Sequence, residues 1–296
     1  MNLKQLKSNF TKTLSELYPS EEIQSFFNWL AEHYLGYSRF EVSIKGEEEI
    51  SEVVEAKFSE ALQRLQNHEP IQYILGETEF YGLPFKVTPD TLIPRPETEE
   101  LVEWIVLDSQ EIQETPLKPH ASHLTPDTFL DVGTGTGCIA ISLAKHIKEA
   151  KVSAIDISAA ALKIASENAT MNEVTVNFIH ADILKTTTLS QHYDVMVSNP
   201  PYVRALEKEH MQPNVLQHEP EAALFVSNED PLLFYRTIAT LAKTHLTPNG
   251  ALYFEINEYL SEEMQIMLSD EGFDEIELKK DVFGKYRMLK CRRKSP

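Results

Sequence analysis

The chain contains 296 residues, of which 42% are hydrophobic and 25% charged, a composition typical of globular proteins and unlike that of disordered, fibrous or membrane-spanning ones. The 46 acidic residues outnumber the 27 Lys and Arg and give a net charge of −19, a field that repels nucleic-acid backbones and anionic lipid. Two cysteines form no disulfide framework, and neither a signal peptide nor a membrane-spanning run is visible, so we expect a cytoplasmic protein.

The first 75 residues have the spacing of helices. Apolar residues recur at intervals of three and four, as in Phe26, Phe27, Leu30 and Tyr34, which places them on one face of a helix. We therefore predict that residues 1–75 form a small helical bundle as a domain of its own.

A different pattern follows in residues 76–96, GETEFYGLPFKVTPDTLIPRP. Two glycines and four prolines in this segment exclude a long helix, and FYGLPFKV is typical of a short hairpin. We predict a hairpin connector here.

Residues 97–296 have the pattern of a larger α/β domain. A helix is predicted at 97–107, and the three prolines between Ser109 and Thr128 predict an exposed loop. After this loop, β-branched runs alternate with helical stretches, which predicts a parallel sheet covered by helices on both faces, with an antiparallel hairpin at one edge. The predicted strands are 129–132, 152–156, 176–179, 193–198 and 251–256, and the hairpin is formed by the runs around Ile276 and at 287–291.

A glycine-rich loop joins the first of these strands to its helix, in the sequence DVGTGTGCIA. Gly133, Gly135 and Gly137 let the backbone approach a ligand closely, and enzymes that use NAD, FAD or S-adenosylmethionine all have such a loop. The spacing is G-x-G-x-G, without the Lys of a phosphate-binding P-loop. The loop therefore predicts a ligand site and leaves the cofactor class open.

Two carboxylates follow the next strands. Asp156 lies 19 residues after Gly137, where an acidic residue accepts hydrogen bonds from ribose hydroxyls; the alternative is a helix cap, which Ser158 could equally supply. Asp182 follows the third strand and could accept from an adenine amino group, or it could be a cap or a solvated carboxylate. Cys138 is interpreted as a packing residue rather than a reactive thiol.

The fourth strand ends in Asn199-Pro200-Pro201-Tyr202. The two prolines stiffen the backbone and remove two N–H donors while they keep their carbonyl acceptors. A planar –NH₂ group could therefore donate to the Asn199 side-chain oxygen and to the Pro200 carbonyl while Tyr202 stacks on it. Alone, such a tetrapeptide is more often a proline-rich turn, but on the same sheet as the glycine loop it indicates methyl transfer to a poorly nucleophilic nitrogen.

These residues resemble a known family. NPPY after VMVS, together with DVGTGTGCIA and AIDIS, resembles the S-adenosylmethionine-dependent methyltransferases of adenine and glutamine amino groups. PIQYILGETEFYGLPFKVTPDTLIPRPETEELV at 70–102, EPEAALF at 219–225 and YFEI at 253–256 resemble the peptide chain release factor glutamine methyltransferases, over nearly the whole chain from Pro70 onward. The resemblance implies a Rossmann-like α/β methyltransferase sheet in residues 97–296, with the N-terminal bundle as a substrate-recognition domain.

The resemblance also implies an activity, transfer of a methyl group from S-adenosylmethionine to the glutamine amide of a Gly-Gly-Gln motif in release factors. We expect a monomer that needs no metal and no membrane, and the acidic charge balance argues against direct contact with nucleic acid. Methylation of the adenine amino group of DNA or RNA is the alternative. The implied cofactor-binding residues are Gly133, Thr134, Gly135, Thr136, Gly137, Asp156, Asp182, Ile183 and Asn199. The implied substrate-binding residues are Asn199, Pro200, Pro201 and Tyr202, of which Asn199, Pro200 and Tyr202 are assigned to catalysis.

The connector and two departures complete the comparison with the family pattern. Arg95, Glu97 and Glu99 lie in the segment that such enzymes bring near the pocket, although Glu97 and Thr98 also fit a helix start. Asn257 and Pro231 each stand at a position where the family commonly has Gly. We expect both departures to alter local loop geometry rather than the chemistry.

Overall fold

The computed structural model describes residues 1–114 and 126–294. These residues form two compact units. The helical unit comprises 1–76 and 212–218, and the α/β unit comprises the described residues of 77–211 and 219–294. Within the described ranges, no helix combines the length and the apolar character needed to cross a bilayer.

The helical unit is built around an apolar core, as the spacing predicts. Asn2 and Ser38 each cap a helix with their side chain, and Gly36, at a φ of 69°, ends the second helix in the left-handed conformation. Phe27 is fully buried and packs edge-on or tilted against Phe10 and Phe58. The helices are α1 (Leu3–Leu14), α2 (Ser20–Leu35), α3 (Arg39–Ile44), α4 (Glu52–Gln66), α5 (Ile71–Leu75) and, further along the chain, Pro213–His218, which is α9 in chain order.

The α/β unit begins with the predicted hairpin, which is confirmed. Strands β1 (Glu77–Phe80) and β2 (Leu83–Lys86) pair antiparallel around Tyr81 and Gly82, both at positive φ. Helix α6 then runs over Pro96–Glu114. The loop predicted from Ser109 is wrong for 109–114, which continue α6. Ser109 faces the interior, and its hydroxyl is satisfied by the Ile105 carbonyl (2.7 Å). Residues 115–125 of that prediction lie outside the described residues.

A seven-stranded sheet forms the centre of the unit, and its order is β10-β11-β9-β6-β3-β4-β5. The five strands from β9 to β5 are parallel, while β10 and β11 form the antiparallel edge hairpin that the sequence predicts. The strands are β3 (Thr128–Val132), β4 (Lys151–Asp156), β5 (Val176–His180), β6 (Tyr193–Ser198), β9 (Leu246–Glu255), β10 (Phe273–Lys280) and β11 (Tyr286–Arg293).

Helices cover both faces of this sheet, so the doubly wound architecture is confirmed. One face packs against the hairpin, α6 and α7, and the other packs against α11 and α12. The remaining elements are α7 (Cys138–His146), α8 (Ala159–Met171), β7 (Val203–Arg204), a 3₁₀ turn at Ala205–His210, α10 (Glu221–Leu224), β8 (Phe225–Val226), α11 (Leu233–His245), a 3₁₀ turn at Glu258–Leu260 and α12 (Ser261–Asp270).

Candidate active site

The glycine loop folds back on the end of β4. The amides of Gly133 and Thr134 both donate to the Ile155 carbonyl, at 2.8 and 3.0 Å. Gly137 has a φ of 82°, a conformation that favours glycine, and a β-carbon there would crowd Ile141 Cδ1 (2.9 Å) and Ala165 Cβ (3.1 Å). The loop thus places its backbone at the carboxyl edge of the sheet, and at Gly137 it packs closely on α7.

Asp156 ties this loop to the end of β4. Its Oδ2 accepts from the Gly135 amide and its Oδ1 from the Ser158 amide, both at 2.8 Å. Ser158 itself caps α8, since its hydroxyl accepts from the Ala161 amide (3.1 Å). The capping alternative therefore falls to Ser158, and binding of a ribose by Asp156 stays a prediction.

Asp131, one strand earlier, was not among the predicted residues. Its side chain is buried within β3, where Oδ2 accepts from the Thr134 hydroxyl (2.6 Å) and Oδ1 has no hydrogen-bond partner in the described structure. Burial raises the pKa of this carboxyl to about 7. The only sequence signal was a carboxylate inside an apolar run, FLDV.

The unpartnered oxygen of Asp131 tests whether the site fits its implied cofactor. S-adenosylmethionine carries a sulfonium and an ammonium cation, and a positive charge near a buried carboxylate offsets the free energy that its burial costs. Asp131 and the loop from Gly133 to Gly137 therefore fit this cofactor, and together they would hold it at the carboxyl edge of β3.

Asp182 and Ile183 lie beyond the end of β5. Asp182 accepts from the Leu184 amide (3.0 Å) and pairs with the exposed Lys185 (2.8 Å), which lowers the pKa of Asp182. Ile183 packs at the margin of the core. Their contact with an adenine stays a prediction.

Cys138 is buried, and burial raises the pKa of its thiol to about 12, in agreement with a packing role.

A hydrogen-bonded chain surrounds the NPPY tetrapeptide. The Asn199 Nδ2 donates to the Thr98 hydroxyl (3.2 Å), which lies in the first turn of α6. The Thr98 hydroxyl donates to Glu255 Oε2 (2.6 Å), and the Tyr202 hydroxyl donates to Glu255 Oε1 (3.0 Å). Glu255, at the end of β9, thus connects both ends of the tetrapeptide.

Thr98 and Glu255 are buried, at 3% and 1% exposure, so water does not compete for these bonds. Burial raises the pKa of Glu255, and the Tyr202 pKa is raised by burial and by the neighbouring carboxylate. Sequence reasoning treated Thr98 only as part of a helix start and Glu255 only as part of the YFEI motif. Their contact joins positions 157 residues apart, which no local pattern shows.

Asn257, the first departure from the family pattern, supports the same tetrapeptide from the other side. Its Nδ2 donates to the Tyr202 carbonyl and to Glu207 Oε2, each at 3.1 Å, and its Oδ1 accepts from the Tyr259 amide. The side chain is buried and caps the turn after β9. Asn257 therefore adds hydrogen bonds that a glycine side chain could not make, whereas Pro231 lies in the turn before α11.

The connector joins the site through Arg95. Its guanidinium pairs with Glu219 (2.5 Å), a buried carboxylate that also accepts from the Ile93 amide (3.2 Å). The two segments that carry the family resemblance, around Arg95 and around Glu219, are thus in direct contact. Glu99 accepts from the Tyr81 amide of the hairpin (3.0 Å). The negative charge of Glu97 raises the pKa of Glu255.

The hairpin is attached to the glycine loop through one amide side chain. Asn168 on α8 is fully buried; its Oδ1 accepts from the Lys86 amide (2.7 Å). Its Nδ2 donates to the carbonyls of Lys86 (3.0 Å) and Thr136 (2.9 Å). The connector and the candidate cofactor loop therefore share the same anchor.

The predicted residues thus gather at one edge of the sheet, because the carboxyl ends of parallel strands β3, β4, β5 and β6 lie side by side. In the described ranges, no cluster of three or more His, Cys, Asp or Glu side chains could hold a metal ion.

Comparison with known proteins agrees with this arrangement. Residues 117–224 match the methyltransferase small domain family and residues 5–76 match the PrmC N-terminal domain family. The chain is 46% identical to the release factor glutamine methyltransferase of Flavobacterium psychrophilum over 290 residues, which cover 98% of this chain and 99% of the relative. The chain belongs to the release factor glutamine methyltransferase family.

Other relatives support the family and the fold. The release factor glutamine methyltransferase of Bacteroides thetaiotaomicron is 42% identical over 283 residues, with 95% of this chain and 97% of the relative covered. The hMettl16 catalytic domain shares the fold, with a TM-score of 0.52 at 13% identity and 81% coverage of each chain. Membership of the glutamine methyltransferase family does not favour the adenine alternative.

Proposed function

We propose that this protein transfers a methyl group from S-adenosylmethionine to the side-chain amide nitrogen of the glutamine in a Gly-Gly-Gln motif of release factors. The observation that carries the proposal is the Asn199 side chain, whose Nδ2 is engaged by Thr98 so that Oδ1 is left to accept from an incoming amide. Family membership supplies the substrate class, since the relatives are named for it.

The chemistry required of the chain is mainly positioning. The nitrogen of an amide is a poor nucleophile because its lone pair is delocalised, so its two hydrogens must be held while the lone pair points at the electrophile. Asn199 Oδ1 and the Pro200 carbonyl accept one hydrogen each, and Tyr202 packs against the flat amide. S-adenosylmethionine supplies the electrophilic methyl group when it is bound.

Further parts of the site complete the proposed roles. The glycine loop from Gly133 to Gly137, with Thr134 and Thr136, and Asp156, Asp182 and Ile183 hold the cofactor, and Pro201 keeps the tetrapeptide rigid. The nitrogen becomes strongly acidic only as its new bond to carbon forms, so no side chain has to remove a proton before transfer. The proton then passes to water, and the cofactor would leave as the neutral thioether S-adenosylhomocysteine.

The helical unit is proposed to recognise the substrate protein. It carries a surface cavity of about 360 Å³ whose lining includes Tyr18, Glu22, Trp29, Glu69 and Gln72. Aromatic and carboxylate side chains together suit the aromatic, apolar and cationic groups that dominate protein interfaces. We also propose that the protein acts as a cytoplasmic monomer without direct contact with nucleic acid, in keeping with its net charge of −19.

A labelling experiment tests the activity. The protein is incubated with methyl-labelled S-adenosylmethionine and either a release factor or duplex DNA, and a release factor whose motif glutamine is replaced serves as the matched control. Label is expected on the intact release factor alone. Label on DNA, or equal label on the control release factor, would contradict the proposal.

The Asn199→Ala variant tests the proposed role of the Asn199 side chain in methyl transfer. We expect transfer to fall by about 10²- to 10³-fold, the loss found when one pre-positioned polar group of a reaction site is removed. Turnover and cofactor affinity are measured separately, by label transfer and by equilibrium dialysis. Wild-type turnover in Asn199→Ala would show that the Asn199 oxygen is not needed to accept a hydrogen bond from the substrate amide.

A further inference from the structure

The hydrogen-bonded chain around Asn199 has a direction that follows from its chemistry. A threonine hydroxyl has a single hydrogen, and an ionised carboxylate can only accept. The hydrogen of Thr98 therefore points to Glu255 Oε2, 2.6 Å away, and only a lone pair remains for the neighbour at 3.2 Å. Asn199 must present its –NH₂ group to that lone pair, which leaves its oxygen outside the chain of bonds.

Glu255 is the group that sets this direction. Its two oxygens accept from two different hydroxyls, Oε2 from Thr98 and Oε1 from Tyr202 (3.0 Å). A carboxylate is the only side-chain group of this shape that accepts at both ends. With an amide instead, one of the two hydroxyls would face a second donor, whichever way the amide lies.

We propose that Thr98 and Glu255 are positioning residues that fix the direction of the Asn199 amide and thereby make the site selective for a primary amide over a carboxylate. This inference rests on the proposed function, because it concerns the acceptor of the same reaction. With Oδ1 of Asn199 and the Pro200 carbonyl as its two polar groups, the site offers only acceptors to the substrate. A glutamate has nearly the same shape as glutamine but brings only acceptors itself, and we expect the site to reject it.

The surroundings keep the chain of bonds from rearranging. Thr98 and Glu255 are buried, and the backbone carbonyl of Glu255 accepts from the hydroxyl of the fully buried Tyr235 (3.1 Å). Within the described residues the Glu255 carboxylate forms no salt bridge, although Arg287 on β11 lies close enough to favour its charged form. The bonds to Thr98 and Tyr202 are therefore the ones that satisfy its oxygens.

Three variants test the proposal against the wild-type enzyme. Thr98→Val keeps the shape but removes the hydroxyl, Thr98→Ser keeps the hydroxyl, and Glu255→Gln replaces one acceptor by a donor. Transfer to a release factor by the wild type is measured first, so that failure of the proposed function is seen separately from failure of the inference.

Kinetics then distinguish positioning from folding. We expect Thr98→Val and Glu255→Gln to lose about 10- to 100-fold in kcat/KM, as when one buried hydrogen bond is left unmade. Thr98→Ser restores most of the activity lost in Thr98→Val, and all variants bind S-adenosylmethionine with an affinity close to that of the wild type. Wild-type kcat/KM in both Thr98→Val and Glu255→Gln, or a Thr98→Ser variant as inactive as Thr98→Val, would overturn the proposal.

Selectivity gives a readout that a purely structural role would not move. Competition between two copies of one acceptor peptide, with glutamine or glutamate at the methylated position, measures the preference of each variant. The wild type is expected to bind the glutamine peptide more tightly, and the ratio is expected to shrink in Thr98→Val and Glu255→Gln while Thr98→Ser keeps it. Equal ratios in all four proteins would contradict the proposed direction.

A double-mutant cycle locates the second bond. Tyr202→Phe keeps the ring but removes the hydroxyl that competes for the carboxylate. In that background the amide of Glu255→Gln can turn its –NH₂ away from Thr98 without meeting a donor, so its further loss in kcat/KM should be smaller than in the wild type. Strictly additive losses would show that the two hydroxyls do not share Glu255.

Discussion

The helical unit and the α/β unit, which is the methyltransferase unit, differ in the kinds of side chain that they bury. The core of the helical unit is apolar and rich in aromatic side chains, and among its described residues Asn28 is the only buried side chain that is polar. The methyltransferase unit buries the carboxylates of Asp131, Glu219 and Glu255 as well as the hydroxyl of Thr98. Asp131, Thr98 and Glu255 lie at or beside the candidate site, whereas other buried polar groups, such as His245 just before β9, lie away from it.

The difference reflects two kinds of physical demand. Apolar burial is non-directional and stabilises a fold whatever the orientation of the groups. Buried polar groups cost stability unless they are fully hydrogen-bonded, but their bonds have direction and can orient a reacting group. A buried polar residue at the carboxyl edge of this sheet is therefore a better guide to function than a buried aromatic one in the helical unit.

The largest effect on stability is expected from the aromatic core of the helical unit. Phe27 is fully buried, with ring centroids 5.5 Å from Phe10 and 5.3 Å from Phe58. We expect Phe27→Ala to lower the free energy of unfolding by about 3–5 kcal/mol, through lost burial and the cavity left behind. Urea denaturation measures the loss.

The matched control in the same unit is Phe40→Ala, since Phe40 is 70% exposed. It should change the free energy of unfolding by no more than about 0.5 kcal/mol. Neither variant, where folded, should alter the affinity for S-adenosylmethionine. A large loss of cofactor affinity in folded Phe27→Ala would break the contrast between the two units.

A pH-dependent effect of a few kcal/mol is expected from Asp131. Burial, opposed by the Thr134 hydroxyl and aided by the nearby Asp156, raises its folded-state pKa from 3.8 to about 7. Between these values the folded protein binds a proton that the unfolded chain does not, so stability falls as pH rises from about 4 to about 7 and stays low above it.

Asp131→Asn removes the titrating group and with it this dependence of stability on pH. At pH 8 the variant should melt at a higher temperature than the wild type and yet bind S-adenosylmethionine more weakly, because it lacks the charge that faces a cation. Melting curves across pH and binding isotherms measure the two effects. A variant that is both less stable at pH 8 and unchanged in affinity would show that Asp131 serves packing instead.

A smaller effect is expected from the glycine loop. Gly137 and Gly284 have nearly the same φ, 82° and 81°, but a β-carbon at 137 would meet Ile141 and Ala165, whereas at 284 it would meet open space. Alanine at either position incurs the strain of the left-handed region, and at 137 it adds crowding of about 1–3 kcal/mol.

Cofactor binding separates the two glycine variants further. We expect Gly137→Ala, but not Gly284→Ala, to lower affinity for S-adenosylmethionine, since only the former displaces the loop. Calorimetric titration and thermal melts compare them. Similar behaviour of the two would mean that close packing of the loop on α7 does not matter for the site.

Much of the fold could be predicted because its signals are local. The β-branched runs gave the parallel strands, and the glycine loop and NPPY each lie directly after a strand, where a parallel sheet brings them together. The final strand of the parallel set was harder to delimit: β9 begins at Leu246, ahead of the predicted start at 251, and includes Pro248 and Gly250, residues that local propensity places in turns.

Other features of the candidate site depend on tertiary contacts that no local sequence pattern indicates. The bond from Thr98 to Glu255 joins α6 to β9, and the pairing of Arg95 with Glu219 joins the connector to a segment 124 residues away. Helix α6 extends past Ser109, whose buried hydroxyl donates to the Ile105 carbonyl of the same helix. The tertiary fold determines which residues become partners in such long-range contacts.

The anchor at Asn168 has a practical consequence for anyone who wishes to express the catalytic half by itself. A shortened chain that starts at Glu97 would lack Lys86 and leave two bonds of a buried amide unmade, and it would also strip Phe80 and Phe85 from the core. Such a fragment would be prone to aggregate. A chain that starts at Glu77 keeps the hairpin and with it the support of the cofactor loop.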